Sequence, residues 1–191
     1  MIEWVMLDYL FPITLEVVKS RFNGNIKVVK FQNKISVWVG GYEQSGALVE
    51  KVFSCIGLQE YRDVLILGLG CGSIVKYLPN SKITGVEIDP EMIKIGKKYF
   101  NYQNTKIIIG DATKLNFKNK FDLIIVDLYK SGVADIFIPD PKLLKRNGTV
   151  IFNQLDFNKT DILSHLDKNK FYEIKKIRKF EYNKLIFCSR K

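Results

Sequence analysis

The chain has 191 residues, 47% of them hydrophobic and 26% charged, which is enough for one domain with a real core and excludes a disordered or membrane-embedded chain. Three widely spaced cysteines (Cys55, Cys71 and Cys188) and a single histidine (His165) argue against a disulfide framework, a metal centre and a histidine-based triad, and point to a reducing, cytoplasmic setting. The net charge of +10 admits nucleic acid, an anionic surface or an acidic substrate as a partner, but lysines scattered over every exposed face give the same charge with no such partner, and nucleic acid is not the favoured reading.

The first eighteen residues, MIEWVMLDYLFPITLEVV, are apolar but carry Glu3, Asp8 and Glu16, are interrupted by Pro12 and follow no basic residue. They read as neither a signal peptide nor a membrane span. Residues 1–22 are expected to be helical with a break near Pro12. Their apolar content, including Trp4, Leu7, Leu10 and Phe11, predicts packing on the domain or on a second copy of the chain, a homodimer through the N-terminal region. Ile26–Phe31 and Ile35–Val39 are β-branched runs joined by Gln32-Asn33-Lys34, a β-hairpin. Gly40-Gly41 ends it, residues 42–46 follow as a loop, and Ala47–Ile56 reads as a helix with Leu48, Val52 and Phe53 or Cys55 facing inward. The expected division is an appendage at 1–46 and a nucleoside-binding domain at 47–191.

The rest of the chain is organised around DVLILGLGCGSIVKYLPNSKITGVEID at 63–89. Val64–Leu67 is an unbroken apolar run suited to a parallel strand buried on both faces. Gly68, Gly70 and Gly72 then allow a tight turn and close approach of backbone to a ligand. A short helix at Ile74–Leu78 leads to a second strand, Ile83–Val86, and to Glu87, placed to accept the hydroxyls of a ribose. The glycine spacing is a poor match to the pyrophosphate loop of dinucleotide folds. Asp89-Pro90 is a helix start, so Asp89 is given a capping task. Met92, Ile95, Gly96 and Tyr99 form the buried stripe of the helix that follows. Lys106–Ile109 and Phe121–Val126 are further strands, ending at Gly110-Asp111-Ala112 and at Asp127. A helical segment is expected over Val133–Lys145, and Asn147-Gly148 as a left-handed turn into a strand at Thr149–Asn153. Lys159–Asp167 reads as a helix, and two antiparallel strands, Phe171–Arg178 and Phe180–Cys188, close the chain. Alternating β and α units imply a doubly wound, mostly parallel sheet.

The loop at 68–72, Gly-Asp-Ala at 110–112, Phe-Asp-Leu-Ile-Ile-Val-Asp at 121–127 and the hairpin leading into Gly-Gly-Tyr-Glu-Gln-Ser-Gly together resemble the class I S-adenosylmethionine-dependent methyltransferases and the related spermidine synthases, over about residues 25–190. The resemblance implies an α/β, Rossmann-like class I methyltransferase fold: a mostly parallel seven-stranded sheet with a C-terminal antiparallel hairpin, preceded by an N-terminal helix and β-hairpin. It implies S-adenosylmethionine, or its decarboxylated form, as the donor. Its binding residues would be Gln44, Gly68, Gly70, Cys71, Gly72, Glu87, Asp111 and Ala112, with Asp127 and Tyr129 orienting a small-molecule acceptor.

Departures from the spermidine synthase pattern bear on the reaction. Cys71 stands where those enzymes carry an aspartate in the loop, Lys130 where they carry a second acid, and Phe53 where a tyrosine helps hold the polyamine. The implied reaction is therefore methyl transfer to a non-polyamine acceptor. Aminopropyl transfer and nucleoside binding without catalysis remain open beside it. Asp127-Leu128-Tyr129-Lys130 also differs from the Asn/Asp-Pro-Pro-aromatic motif of amino-methylating DNA enzymes.

Overall fold

The computed structural model describes residues 9–58, 60–100, 102, 104–130, 133–134, 136–155, 161–180 and 182–191. Two sheets make up the molecule. The larger has seven strands: β5 (Asp63–Leu67), β6 (Lys82–Glu87), β7 (Thr105–Ile109), β8 (Phe121–Val126), β11 (Leu144–Leu155), β12 (Tyr172–Lys179) and β13 (Asn183–Arg190). Their order is β12-β13-β11-β8-β5-β6-β7. Strands β7, β6, β5, β8 and β11 are parallel, and β13 enters antiparallel between β11 and β12. This is the expected doubly wound sheet with its closing hairpin.

The central strands bury both faces, as their unbroken apolar runs require. One face carries Val64, Ile66, Leu123, Ile125 and Ile151 under Phe53, Ile56, Ile74 and Ile93. The other carries Leu65, Leu67, Ile124, Val126, Val150 and Phe152 under Ile162, Leu166 and Tyr172. The helix at Pro90–Tyr99 begins as expected: Asp89 is its N-cap, accepting from Glu91 N, with Pro90 in its first turn.

The second sheet corrects the reading of the N-terminal region. It has four antiparallel strands in sequential order, β1 (Ile13–Ser20), β2 (Gly24–Phe31), β3 (Lys34–Val39) and β4 (Tyr42–Ser45). Part of the helix expected over 1–22 falls at 1–8, outside the described residues. From Ile13 onward the chain is a strand, because Ile13, Thr14, Val17 and Val18 are β-branched and side chains alternate between more and less buried positions. Residues 42–45, read as a loop, form β4. Gly40 and Gly41 both have positive φ (56° and 87°), which makes them the two central residues of a hairpin turn rather than a terminator. An apolar layer of Ile26, Val28, Val37, Cys71, Met92 and Ile95 joins this sheet to the Pro90–Tyr99 helix.

Other differences are local. The helix at Ala47–Phe53 runs into a 3-10 turn at Ser54–Leu58, and the segment after the glycine loop is a 3-10 turn at Ser73–Tyr77. Leu48 is 51% exposed rather than inward-facing. No helix spans 133–145 among the described residues. Val133–Ala134 (β10) pairs with Tyr129–Lys130 (β9), Pro139 and Pro141 are incompatible with a continuous helix, and a 3-10 turn occupies Pro141–Leu143. Strand β11 runs through Asn147-Gly148 with an irregular register against β8, and neither residue takes a left-handed conformation. The last helix covers Ile162–Asp167; residues 159 and 160 of the expected span lie outside the described residues.

Candidate active site

Sheet order reverses at β5, whose neighbours are β6 on one side and β8 on the other. Open α/β sheets bind ligands beyond the carboxyl ends of strands at such a point. The register aligns those ends: Leu67 pairs with Val86 and Val126, and Glu87 with Ile109. Gly68, Glu87, Gly110-Asp111 and Asp127 therefore emerge side by side.

The loop after β5 is built around Glu87, which is 8% exposed. One carboxylate oxygen accepts the Gly70 N–H at 2.7 Å and the other accepts the Asp89 N–H at 2.9 Å. Burial raises its pKa, opposed by hydrogen bonds from the backbone of Asp89, Gly70 and Ile88. A carboxylate has about four acceptor positions, so the backbone donors do not exhaust it. Gly68 has φ 87°, and a Cβ there would stand 2.0 Å from the Asp127 carbonyl oxygen. No side chain has room at this place.

Asp127 follows β8. Its carboxyl accepts from Asn153 Nδ2 at 2.8 Å, and Asn153 in turn accepts from Asn183 Nδ2 at 2.9 Å. Burial pushes the Asp127 pKa up to about 7; the Asn153 hydrogen bond pulls against this, and the nearby charge of Glu87 adds to it. The Tyr129 hydroxyl donates to the Asn153 carbonyl oxygen at 3.0 Å, and burial raises its pKa. Asp127 and Tyr129 thus share one partner residue, Asn153, which the sequence reading missed. Its position at the carboxyl end of β11, next to β8, was the available signal.

Asp111 lies after β7. It caps the 3-10 turn at Ala112–Lys114 by accepting from Thr113 N (3.0 Å) and Thr113 Oγ1 (2.7 Å), with Lys114 Nζ at 3.3 Å. Those Thr113 hydrogen bonds hold its pKa below the usual carboxylate range. Ala112 is buried beneath it. Gln44 is half-buried on β4, and its carbonyl oxygen lies 3.8 Å from where a Cβ of Gly70 would stand.

Cys71 is placed differently from its assigned role. Its side chain is fully buried in the apolar layer beneath the N-terminal sheet, with Sγ 3.9 Å from Met92 Sδ, and burial pushes the thiol up to about 12. Only its backbone belongs to the loop surface, and its N–H donates to Ser45 Oγ at 3.2 Å. Phe53 is 1% exposed in the core of the large sheet. The Lys130 side chain lies outside what is described. Glu43, which could replace the missing acid, accepts from Leu48 N at 2.7 Å and Val49 N at 3.4 Å; it caps the Ala47–Phe53 helix.

Tyr102, Ser45 and Ser73 are further site residues missed in the sequence. Tyr102 packs where side chains on Gly72 and Gly96 would be: a Cβ would meet its ring at 2.2 Å from Gly72 and its hydroxyl at 1.7 Å from Gly96. Gly96, a glycine inside a helix, was the signal that something approaches there. Ser73 Oγ accepts the Gly46 N–H at 3.0 Å, reciprocating the Ser45–Cys71 bond. Among the described residues no His, Cys, Asp and Glu cluster could hold a metal, and no helix is long and apolar enough to cross a membrane.

Residues 64–136 match a family described as a methyltransferase domain. The chain is 34% identical over 79 residues to an eEF1A lysine and N-terminal methyltransferase homolog from Drosophila pseudoobscura pseudoobscura, covering 35% of this chain and 12% of that protein. It is 30% identical over 115 residues to a polyamine aminopropyltransferase from Vibrio vulnificus (strain CMCP6), covering 50% of this chain and 38% of that protein. The chain thus spans well under half the length of either relative. A probable spermidine synthase from Corynebacterium glutamicum ATCC 13032 superimposes with a TM-score of 0.68 at 15% identity, over 94% of this chain and 81% of the other. Spermidine synthase from Thermotoga maritima does so with a TM-score of 0.62 at 14% identity, over 93% and 72%. The chain therefore has the Rossmann-like fold of the class I methyltransferases and spermidine synthases, and its residues 64–136 match the methyltransferase domain family.

Proposed function

We propose that the chain is an S-adenosylmethionine-dependent methyltransferase acting on a small, non-polyamine acceptor. The observation that carries the donor assignment is Glu87: a buried carboxylate, held by the Gly70 and Asp89 N–H groups at the mouth of the glycine loop, with acceptor capacity left for a ribose hydroxyl. Asp111 would accept from the adenine amino group, with Ala112 beside the ring, and Gln44 would reach the nucleoside from β4. In this reading residues 47–191 form the donor-binding unit and residues 1–46 an appendage to it. When bound, the donor supplies an electrophilic methyl group on a sulfonium.

The protein's own contribution is positioning and proton handling. An acceptor held in line with the methyl group reacts as if intramolecular. Asp127, with a pKa of about 7, suits accepting the acceptor's proton as the new bond forms. Tyr129 and Asn153 fix the direction of that carboxylate.

The second reading, aminopropyl transfer, is favoured by the likeness to spermidine synthases across both sheets. Against it stand the loss of Glu43 to helix capping and the burial of Cys71 where those enzymes carry an acid, since a diamine needs carboxylates at both ends. The exposed Tyr9, Leu10, Phe11, Leu15 and Val17 support pairing of two copies through the N-terminal region, and three unpaired cysteines suit a reducing cytoplasm.

Calorimetry with S-adenosylmethionine, decarboxylated S-adenosylmethionine and methylthioadenosine tests the donor. Preference for the first supports methyl transfer, and preference for the second, with turnover of putrescine, overturns it. Binding of none removes the donor assignment itself.

A further inference from the structure

The end of the large sheet opposite the transfer site carries a second feature. Lys120 precedes β8, Leu144 and Arg146 lie at the start of β11, and Arg190 and Lys191 follow the end of antiparallel β13. These residues surround a cavity of about 400 Å³. Strand β8 has six residues, so the cavity lies about 20 Å from the Asp127 end of the sheet.

Its lining side chains are four cations and one leucine. The acids at the starts of β5 and β8 are already used: Asp63 and Asp122 pair with Lys145 at 2.6 and 2.9 Å. Lys191 Nζ donates to the Asn169 carbonyl oxygen at 2.9 Å. Lys120, Arg146 and Arg190 have no acidic partner among the described residues. A basic face usually spreads its charges apart; here backbone pairing of Arg190 with Tyr172 and the course of β11 bring two arginines to one concavity.

We infer that this cavity is an anion site for a phosphate-bearing ligand, separate from the donor crevice. Three cations without an acidic partner exceed what one carboxylate neutralises. A phosphate group carries about −1.5 to −2 and three acceptor oxygens, and paired guanidinium groups match it with bidentate hydrogen bonds. The phosphate belongs either to a free phosphorylated small molecule or to a nucleic-acid strand, and the two are separated by the test.

The full chain is titrated with pyrophosphate by calorimetry and with a labelled 12-nucleotide RNA by fluorescence anisotropy, at low and at near-physiological salt. Arg146→Glu/Arg190→Glu should weaken pyrophosphate binding at least tenfold. Lys27→Glu/Lys106→Glu, the same change in net charge at exposed positions elsewhere, should change it less than twofold. Pyrophosphate binding with no tighter RNA binding identifies a small phosphorylated ligand; RNA binding at least tenfold tighter, lost in the same variant, identifies a strand. Arg146→Gln/Arg190→Gln replaces the first variant if it melts below the parent. S-adenosylmethionine titration of each variant should be unchanged, so the result stands apart from the donor assignment. No pyrophosphate binding, or equal loss in the control pair, overturns the inference.

Discussion

The carbonyl oxygen of Asp127 stands 2.0 Å from where a Cβ on Gly68 would be. The turn that opens the donor loop and the strand end that presents the candidate proton acceptor are therefore one close-packed unit. With φ at 87°, Gly68→Ala meets both a steric and a conformational penalty, and either the loop or Asp127 must move. The expected loss is about 3 kcal/mol, a fall in melting temperature of roughly 6–12 °C. A variant melting within about 2 °C of the parent would contradict the packing described.

Asp127 should make stability fall with rising pH. An unfolded aspartate ionises near pH 4, whereas the folded group holds its proton to about pH 7. Between those values the folded chain binds a proton that the unfolded chain releases, so this contribution is complete below about pH 4 and is lost as pH rises through about 7. Asp127→Asn should therefore melt like the parent near pH 4 and higher than it at pH 8. Asn153→Ala removes the hydrogen bond that restrains the shift and should move the midpoint above 7. Carboxyl NMR titration of the parent and the Asn153 variant checks this directly.

The second sheet is tied to the donor loop through a buried acid. Asp89 is 0% exposed; one carboxylate oxygen accepts from Ser20 Oγ and from Asn23 Nδ2, and the other from Glu91 N. Ser20→Ala or Asn23→Ala should each cost about 1–2 kcal/mol. Because both donors share one oxygen, the double variant should lose a different amount from the sum of the two. Chemical denaturation of the four proteins supplies the cycle, and strict additivity would show that the two bonds are independent.

Gly96 and Tyr102 form a second testable pair. In an ordinary helix interior, glycine to alanine gains up to about 1 kcal/mol. Here a Cβ would meet the Tyr102 hydroxyl at 1.7 Å and the Cys71 carbonyl oxygen at 2.9 Å, so Gly96→Ala should destabilise by about 2 kcal/mol or more. In a Tyr102→Ala background part of that loss should be recovered, the remainder coming from the Cys71 backbone. Melting curves of the cycle decide it; an equal penalty in both backgrounds would remove Tyr102 as its cause.

The large sheet was legible because its strands are buried on both faces, and such strands are unbroken apolar runs ending at glycine or acid. Glu87, Asp111 and Asp127 were placed at neighbouring strand ends by that pattern alone. The N-terminal sheet was legible only at its central hairpin, where Ile26–Phe31 and Ile35–Val39 pair as expected. For its outer strands, apolar content around Pro12 suggested a helix, while the information lay in the β-branching of Ile13–Val18 and in the two-residue Gly40-Gly41 turn. Cys71 was placed among the donor-binding residues of the glycine loop, but spacing says nothing about which way a side chain points, and its direction is set by contact with a sheet formed far away in sequence. Asn153 and Tyr102 were invisible for the same reason: each matters through a neighbour that only the tertiary fold supplies.

Ser45 and Ser73 exchange hydrogen bonds with backbone on opposite sides of the junction between β4 and the glycine loop. This has a consequence for how the chain can be shortened. A version beginning at Ala47 would still contain every strand of the parallel sheet and the whole methyltransferase-domain match. It would also leave the Cys71 N–H without its partner, strip the cover from Cys71, Met92 and Ile95, and release Asp89 from Ser20 and Asn23. The smallest stretch that matches the family is therefore smaller than the smallest stretch expected to fold, and excision of the first 46 residues should yield an aggregating chain rather than a minimal enzyme.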